Sequence, residues 1–107
     1  MDNRTQVIMS KFNELINSNL PVLIDFHAEW CGPCKTLSPI IKSVKSEMGD
    51  SLKVVKVDVD KNQGLASKLG IRGVPTLMLY KSGQLLWRQS GVLQKDQLVQ
   101  ILNQHLS

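Results

Sequence analysis

Residues 22–35 read VLIDFHAEWCGPCK, and the fold turns on how this stretch is parsed. Val22–Ala28 is an apolar run of strand length, suited to a strand buried on both faces, and Pro21 breaks whatever helix precedes it. WCGPCK follows as a turn whose Pro33 fits the first position of a helix. Leu37, Ile41, Val44 and Met48 then hold one helical face at spacings of four, three and four, until Gly49-Asp50 ends the pattern. Pro39 falls inside this helix and should kink it rather than stop it, because the stripe continues beyond it. A buried strand feeding a helix through a tight turn is the opening half of a βαβ unit, and open α/β sheets place their sites at such carboxyl ends.

Outward from this stretch the pattern repeats. On the amino-terminal side, Thr5–Met9 (TQVIM) reads as a short strand, and Ser10 can cap a helix carrying Phe12, Leu15 and Ile16 as far as Asn19. On the other side, Leu52–Val59 (LKVVKVDV) is a strand, and Gln63–Leu69 a short helix stopped by Gly70. Thr76–Lys81 and Gln84–Ser90 flank Ser82-Gly83 as a hairpin, and Gln94–Leu106 closes the chain as a helix with a Leu98, Ile101, Leu102, Leu106 stripe. The order βαβαβαββα predicts an α/β fold with a single mixed five-stranded sheet flanked by four helices. At 107 residues, without linker or repeat, the chain reads as one domain, 1–107.

Composition narrows the function. Apolar residues are 42% and charged residues 21% of the chain, as in soluble globular proteins rather than disordered or fibrous ones. The 13 Lys and Arg outnumber 9 Asp and Glu, but they are spread singly and only five residues are aromatic, so no nucleic-acid stripe is expected. There is no membrane-length apolar run, and the first 20 residues are too polar for a secretory signal. With Met1 at the start, a cytoplasmic protein is expected, with no membrane or nucleic-acid partner and no evident dimerisation segment, hence a monomer.

Two cysteines, Cys31 and Cys34, carry the chemistry. One loop this small cannot staple a fold. Three apart at a helix start, the two share a face, and their sulfurs can bond. The first sits at the positive end of the helix dipole, which favours its thiolate; the second, a turn further in, is shielded and suited to wait as a thiol. A nucleophile beside a resolving thiol is the minimum equipment for thiol–disulfide exchange. Zinc is the alternative, but it wants four ligands and only His27 and His105 remain as strong candidates, so no metal is expected. Asp25 interrupts its apolar strand, where burial favours the protonated form; near Cys34 it could accept that thiol's proton. Lys56 is the candidate charge partner, although both side chains could instead point to solvent at strand edges. In Gly73-Val74-Pro75-Thr76 the proline suggests a special bond geometry, with a plain trans turn the commoner form.

WCGPC, followed some forty residues later by GVPT, resembles the thioredoxin family. The likeness runs from Asp25–Lys35 through Val57–Asn62 (VDVDKN) and Gly70–Gly83 to Gly91-Val92 and the last helix. It implies a thioredoxin fold with strand order 1-3-2-4-5, the hairpin at one edge, and a cis Pro75 facing the cysteines. It also implies protein-disulfide reductase activity, with Cys31 attacking, Cys34 resolving, Asp25 as buried acid–base group and Lys56 nearby. Trp30, Gly32, Pro33, Gly73, Val74, Pro75 and Gly91 would form the docking surface for oxidised substrate proteins. The implied partner is a flavoprotein thioredoxin reductase drawing on NADPH; no cofactor is bound by the chain itself, and no dinucleotide loop is present. Position 27 departs from the pattern, being His where the family usually has an aromatic. Alternation puts His27 on the face of Asp25. It either fills the aromatic's space as a neutral, partly buried group or hydrogen-bonds an acidic neighbour, Asp60 from the family arrangement, and so couples to the thiols. An oxidase or isomerase on the same fold, or a binding module without turnover, are the competing functions.

Overall fold

A helix, not a strand, opens the fold. The structure is a computed structural model and describes residues 3–106; Met1, on which part of the cytoplasmic expectation rested, lies outside them. The first element, α1, spans Asn3–Ile16, so the strand expected at Thr5–Met9 is absent. The reason is periodicity across the whole segment. Ile8, Met9, Phe12, Leu15 and Ile16 recur at one helical stripe, and all pack into the same core. A strand would have turned Ile8 and Met9 to opposite faces and split that stripe.

The elements that follow match the periodicity closely: β1 Val22–His27, α2 Gly32–Met48, β2 Lys53–Asp58, α3 Gln63–Lys68, β3 Thr76–Lys81, β4 Gln84–Ser90 and α4 Lys95–Leu106. A short 3₁₀ turn, Gly49–Ser51, links α2 to β2. α2 runs unbroken through Pro39. The sheet has four strands among the described residues, not five, in the order β2-β1-β3-β4, which is the expected order without its first strand. β1 and β2 are parallel, as an intervening helix requires, and β1–β3 and β3–β4 are antiparallel. With α1 helical, β2 pairs on one side only among the described residues and forms an edge there. In the β3–β4 turn, Ser82 and Gly83 both have positive φ (52° and 80°), the backbone of a tight hairpin turn whose twist matches the strands.

Each face of the sheet has its own core. Leu23 of β1 with Leu77 and Leu79 of β3 meets Leu37, Ile41 and Val44 of α2 and Leu98 and Leu102 of α4. Val22, Ile24 and Phe26 face the other way, onto Phe12 and Ile16 of α1 and Leu65 of α3. Burial of each such large apolar side chain stabilises by about 1.5–3 kcal/mol. The alternation decides the chemistry: Asp25 and His27 share the face of Leu23, the side on which α2 and its cysteines lie.

Candidate functional site

Cys31 caps α2. Its backbone is extended (φ −88°, ψ 110°), and its Sγ accepts the amide hydrogen of Cys34 at 3.1 Å. The two cysteines form a disulfide with Cα atoms 5.3 Å apart, and Pro33 occupies the first turn where no amide is required. In the reduced state the same position gives the Cys31 sulfur a backbone donor and the positive end of a 17-residue helix, both of which favour a thiolate. Exposure does not separate the two sulfurs as the spacing suggested. Cys31 is 3% and Cys34 6% exposed, because Ala28, Val59 and Val74 pack over both. What distinguishes Cys31 is the cap.

The loop before β3 supplies the opposite wall. The Val74–Pro75 bond is cis, as the resemblance implied. The Val74 carbonyl oxygen lies 3.6 Å from Cys31 Sγ, within reach of its S–H in the dithiol. Gly91, at φ +95°, donates its amide to the Pro75 carbonyl at 2.9 Å, so Pro75 and Gly91 are held together. Gly32, Pro33 and Gly73 are exposed around the sulfurs, and Pro75 is buried. Trp30 is 72% exposed and donates Nε1–H to Asp60 Oδ2 at 2.7 Å.

That bond corrects one expectation. Asp60 is held by Trp30, not by His27. The register explains it: His27 stands opposite Asp58, the last residue of β2, whereas Asp60 lies in the turn beyond. Asp58 Oδ1 accepts from the amides of Asp60 and Lys61, which fixes that turn. His27 is half-buried and lines a cavity of about 150 Å³ with Cys34, Lys35, Ser38, Lys56 and Glu29.

Asp25 is buried in the sheet, 1% exposed, and its Oδ1 has no hydrogen-bond partner among the described residues. Burial pushes its carboxyl above the ordinary 3.8, while the charges of Lys56 and then His27 pull the other way. Lys56 is its register neighbour on β2; the ammonium donates to Ser38 Oγ at 2.7 Å and acts on Asp25 through its field. Ser38 was not singled out from sequence. One helical turn beyond Cys34, it lies on the same face of α2, the signal that could have found it. Thr76 and Arg88 were also missed: Thr76 Oγ1 donates to the Gly73 carbonyl at 2.7 Å, and the Arg88 guanidinium donates to the Leu69 and Gly70 carbonyls, fixing the loop that carries Val74. No group of three or more metal-ligating side chains occurs among the described residues.

The thioredoxin family model matches residues 4–104. The chain belongs to the thioredoxin family. It is 45% identical over 94 residues to thioredoxin from Rickettsia prowazekii, covering 88% of this chain and 90% of that one. It is 44% identical over 92 residues to thioredoxin from Haemophilus influenzae, 86% of each. Against thioredoxin from Pyropia yezoensis it is 43% identical over 104 residues, 96% of this chain and 97% of that one. Like other thioredoxins it is a protein-disulfide reductase, a thiol–disulfide oxidoreductase whose redox centre is its own Cys31–Cys34 pair. Its partners are, in general terms, proteins bearing disulfides and a reductase that resets it. No helix among the described residues is long and apolar enough to cross a membrane.

Proposed function

We propose the following roles within the reductase cycle. The Cys31 thiolate attacks a substrate disulfide, forming a mixed disulfide and releasing one substrate thiolate, which takes a proton from water. The Cys34 thiol passes its proton to the Asp25 carboxylate. The resulting thiolate attacks Cys31 Sγ, closing Cys31–Cys34 and releasing the second substrate sulfur. Two electrons leave with the substrate, and Asp25 returns its proton to solvent. Lys56, tethered to Ser38, tunes the readiness of Asp25 to take that proton.

The single observation that supports Cys31 as the attacker is its place as the cap of α2, with Sγ receiving the Cys34 amide. Around it Trp30, Gly32, Pro33, Gly73, Val74, Pro75 and Gly91 form the docking rim, and an extended substrate segment can pair with the backbone beside Val74. Asp60 contributes by holding Trp30 in place at that rim. Residues 1–107 act as one monomeric domain in the cytoplasm, where a reducing pool suits a dithiol. Thioredoxin reductase, drawing on NADPH, restores the pair.

The test is trapping. Cys34→Ser accumulates a mixed disulfide with an oxidised protein substrate such as insulin, visible on non-reducing gels, and Cys31→Ser does not. Equal trapping by both variants removes the role assignment.

A further inference from the structure

We propose that His27 is a positioning residue of the redox centre, whose imidazole, when charged, favours the ionised form in which Asp25 meets the Cys34 thiol. The inference rests on Asp25 as the proton acceptor and goes beyond it by naming what controls the acceptor. Three observations converge. First, His27 and Asp25 lie two apart on β1 and face the same way, with Cα atoms about 6.6 Å apart by strand geometry. Second, His27 and Cys34 line one cavity of about 150 Å³, which also reaches Ser38 and Lys56. At about 30 Å³ per water, that space is large enough for several waters, so imidazole and thiol share one pocket without direct contact. Third, Asp25 Oδ1 is buried with no hydrogen-bond partner among the described residues, so its charge depends on the fields of its neighbours, and a positive charge on His27 favours its ionised form.

The surroundings leave the imidazole free to act this way. From β2, Lys56 is committed to Ser38 and Asp58 to the amides of Asp60 and Lys61. From α2 come Cys34 and Lys35, and from the loop Glu29, which pairs with Lys61 at 3.6 Å. β3 brings the uncharged Leu77 opposite Asp25. Histidine is the side chain that changes charge between about pH 5 and 8. A charged imidazolium favours the carboxylate and so keeps Asp25 able to accept, a support that matters most at low pH, where the carboxyl otherwise holds its proton. His27 therefore extends the working range of Asp25 toward lower pH, which an uncharged aromatic cannot do.

The experiment is single-turnover reduction of the aromatic disulfide DTNB, in which the second equivalent of coloured thiolate reports the resolving step. In His27→Phe that step is roughly three- to ten-fold slower at pH 6, with the deficit closing as pH rises to 8.5. His27→Lys, which keeps the charge, restores the rate at pH 6. The Asp25 carboxyl, followed by carbon-13 NMR, titrates at higher pH in His27→Phe and returns in His27→Lys. Should His27→Phe fail to fold, His27→Gln is measured in its place. Superimposable pH profiles and Asp25 titrations in the parent and the neutral variant overturn the proposal. Asp25→Asn separates the two levels: a parental resolving rate in that variant removes Asp25 as acceptor, whatever the NMR shows for His27.

Discussion

Asp25→Asn should make the protein more stable and a poorer reductase at once, with the gain in stability growing as pH rises. The carboxyl is 1% exposed, one oxygen is unpartnered, and burial outweighs the opposing charges of Lys56 and His27 in raising its proton affinity. The sign follows from linkage. Below the ordinary value of 3.8 both folded and unfolded chains hold the proton, and the carboxyl costs nothing extra. As pH climbs from there through the raised native value, the unfolded chain ionises freely while the native one must bury a charge or keep its proton, and stability is lost. Asn, neutral throughout, escapes that loss. Burying an unpartnered charge costs more than burying an unpartnered neutral group, which Asn and the protonated acid share; at about 1.4 kcal/mol per pKa unit, the variant should gain on the order of 1–3 kcal/mol at pH 8 and little of it at pH 4. At about 4–8 °C per kcal/mol for a domain of this size, the melting temperature at pH 8 rises by roughly 4–24 °C. The assay is a set of circular-dichroism melts of the oxidised protein from pH 4 to 8.5, in which no thiol titrates. A difference in melting temperature that does not change with pH, or a less stable variant at pH 8, would refute the reasoning. Turnover moves the other way: without a carboxylate to take the proton of Cys34, the resolving step at pH 7 slows by on the order of 10²-fold.

Two further outcomes test parts of the structure that sequence alone left unsettled. Val7 is 52% exposed within α1, so Val7→Ala should stabilise by about 0.5 kcal/mol in urea titrations, since Ala favours a helix and Val a strand; a loss of stability contradicts the helix. Lys56→Met removes the larger of the two charges that hold down the proton affinity of Asp25, so the carboxyl should titrate at higher pH and resolution at pH 7 should slow roughly three-fold or more; an Asp25 titration that stays in place excludes Lys56 from the centre.

Most of this could be read from residue types and spacing. The apolar run before WCGPCK, the stripe through Pro39 and the Ser82-Gly83 turn are local signals, and the corresponding elements form where those signals lie. Thr5–Met9 failed because three adjacent apolar residues, Val7, Ile8 and Met9, suit a strand or a helix equally when taken alone. The tie of Ile8 and Met9 to Phe12 and Leu15 settles the matter, and that tie is tertiary. The site divides in the same way. Alternation placed His27 on the face of Asp25 without any knowledge of the fold, whereas Lys56 comes beside Asp25 only through the β1–β2 register. The partner of Asp60 could not be reached, because it depends on how Asp58 folds the turn after β2 and where that turn delivers the next carboxylate. The relative exposure of the two sulfurs likewise depends on Val74 and Val59, brought in from distant loops.

The open edge left by the helical amino terminus carries a risk of its own. An unpaired strand offers its amides and carbonyls to any other chain in extended form, including a second molecule of the same protein. The amide of Lys53 points inward to Pro21, as that of Val59 does to His27, so the intervening groups of Val54, Lys56 and Asp58 face outward. Lys53 and Lys56, both exposed, flank the Val54-Val55 pair on this strand. Two such edges brought side by side would set like charges against one another on each face, Lys53 on one and Lys56 on the other, a repulsion that disfavours edge-to-edge pairing.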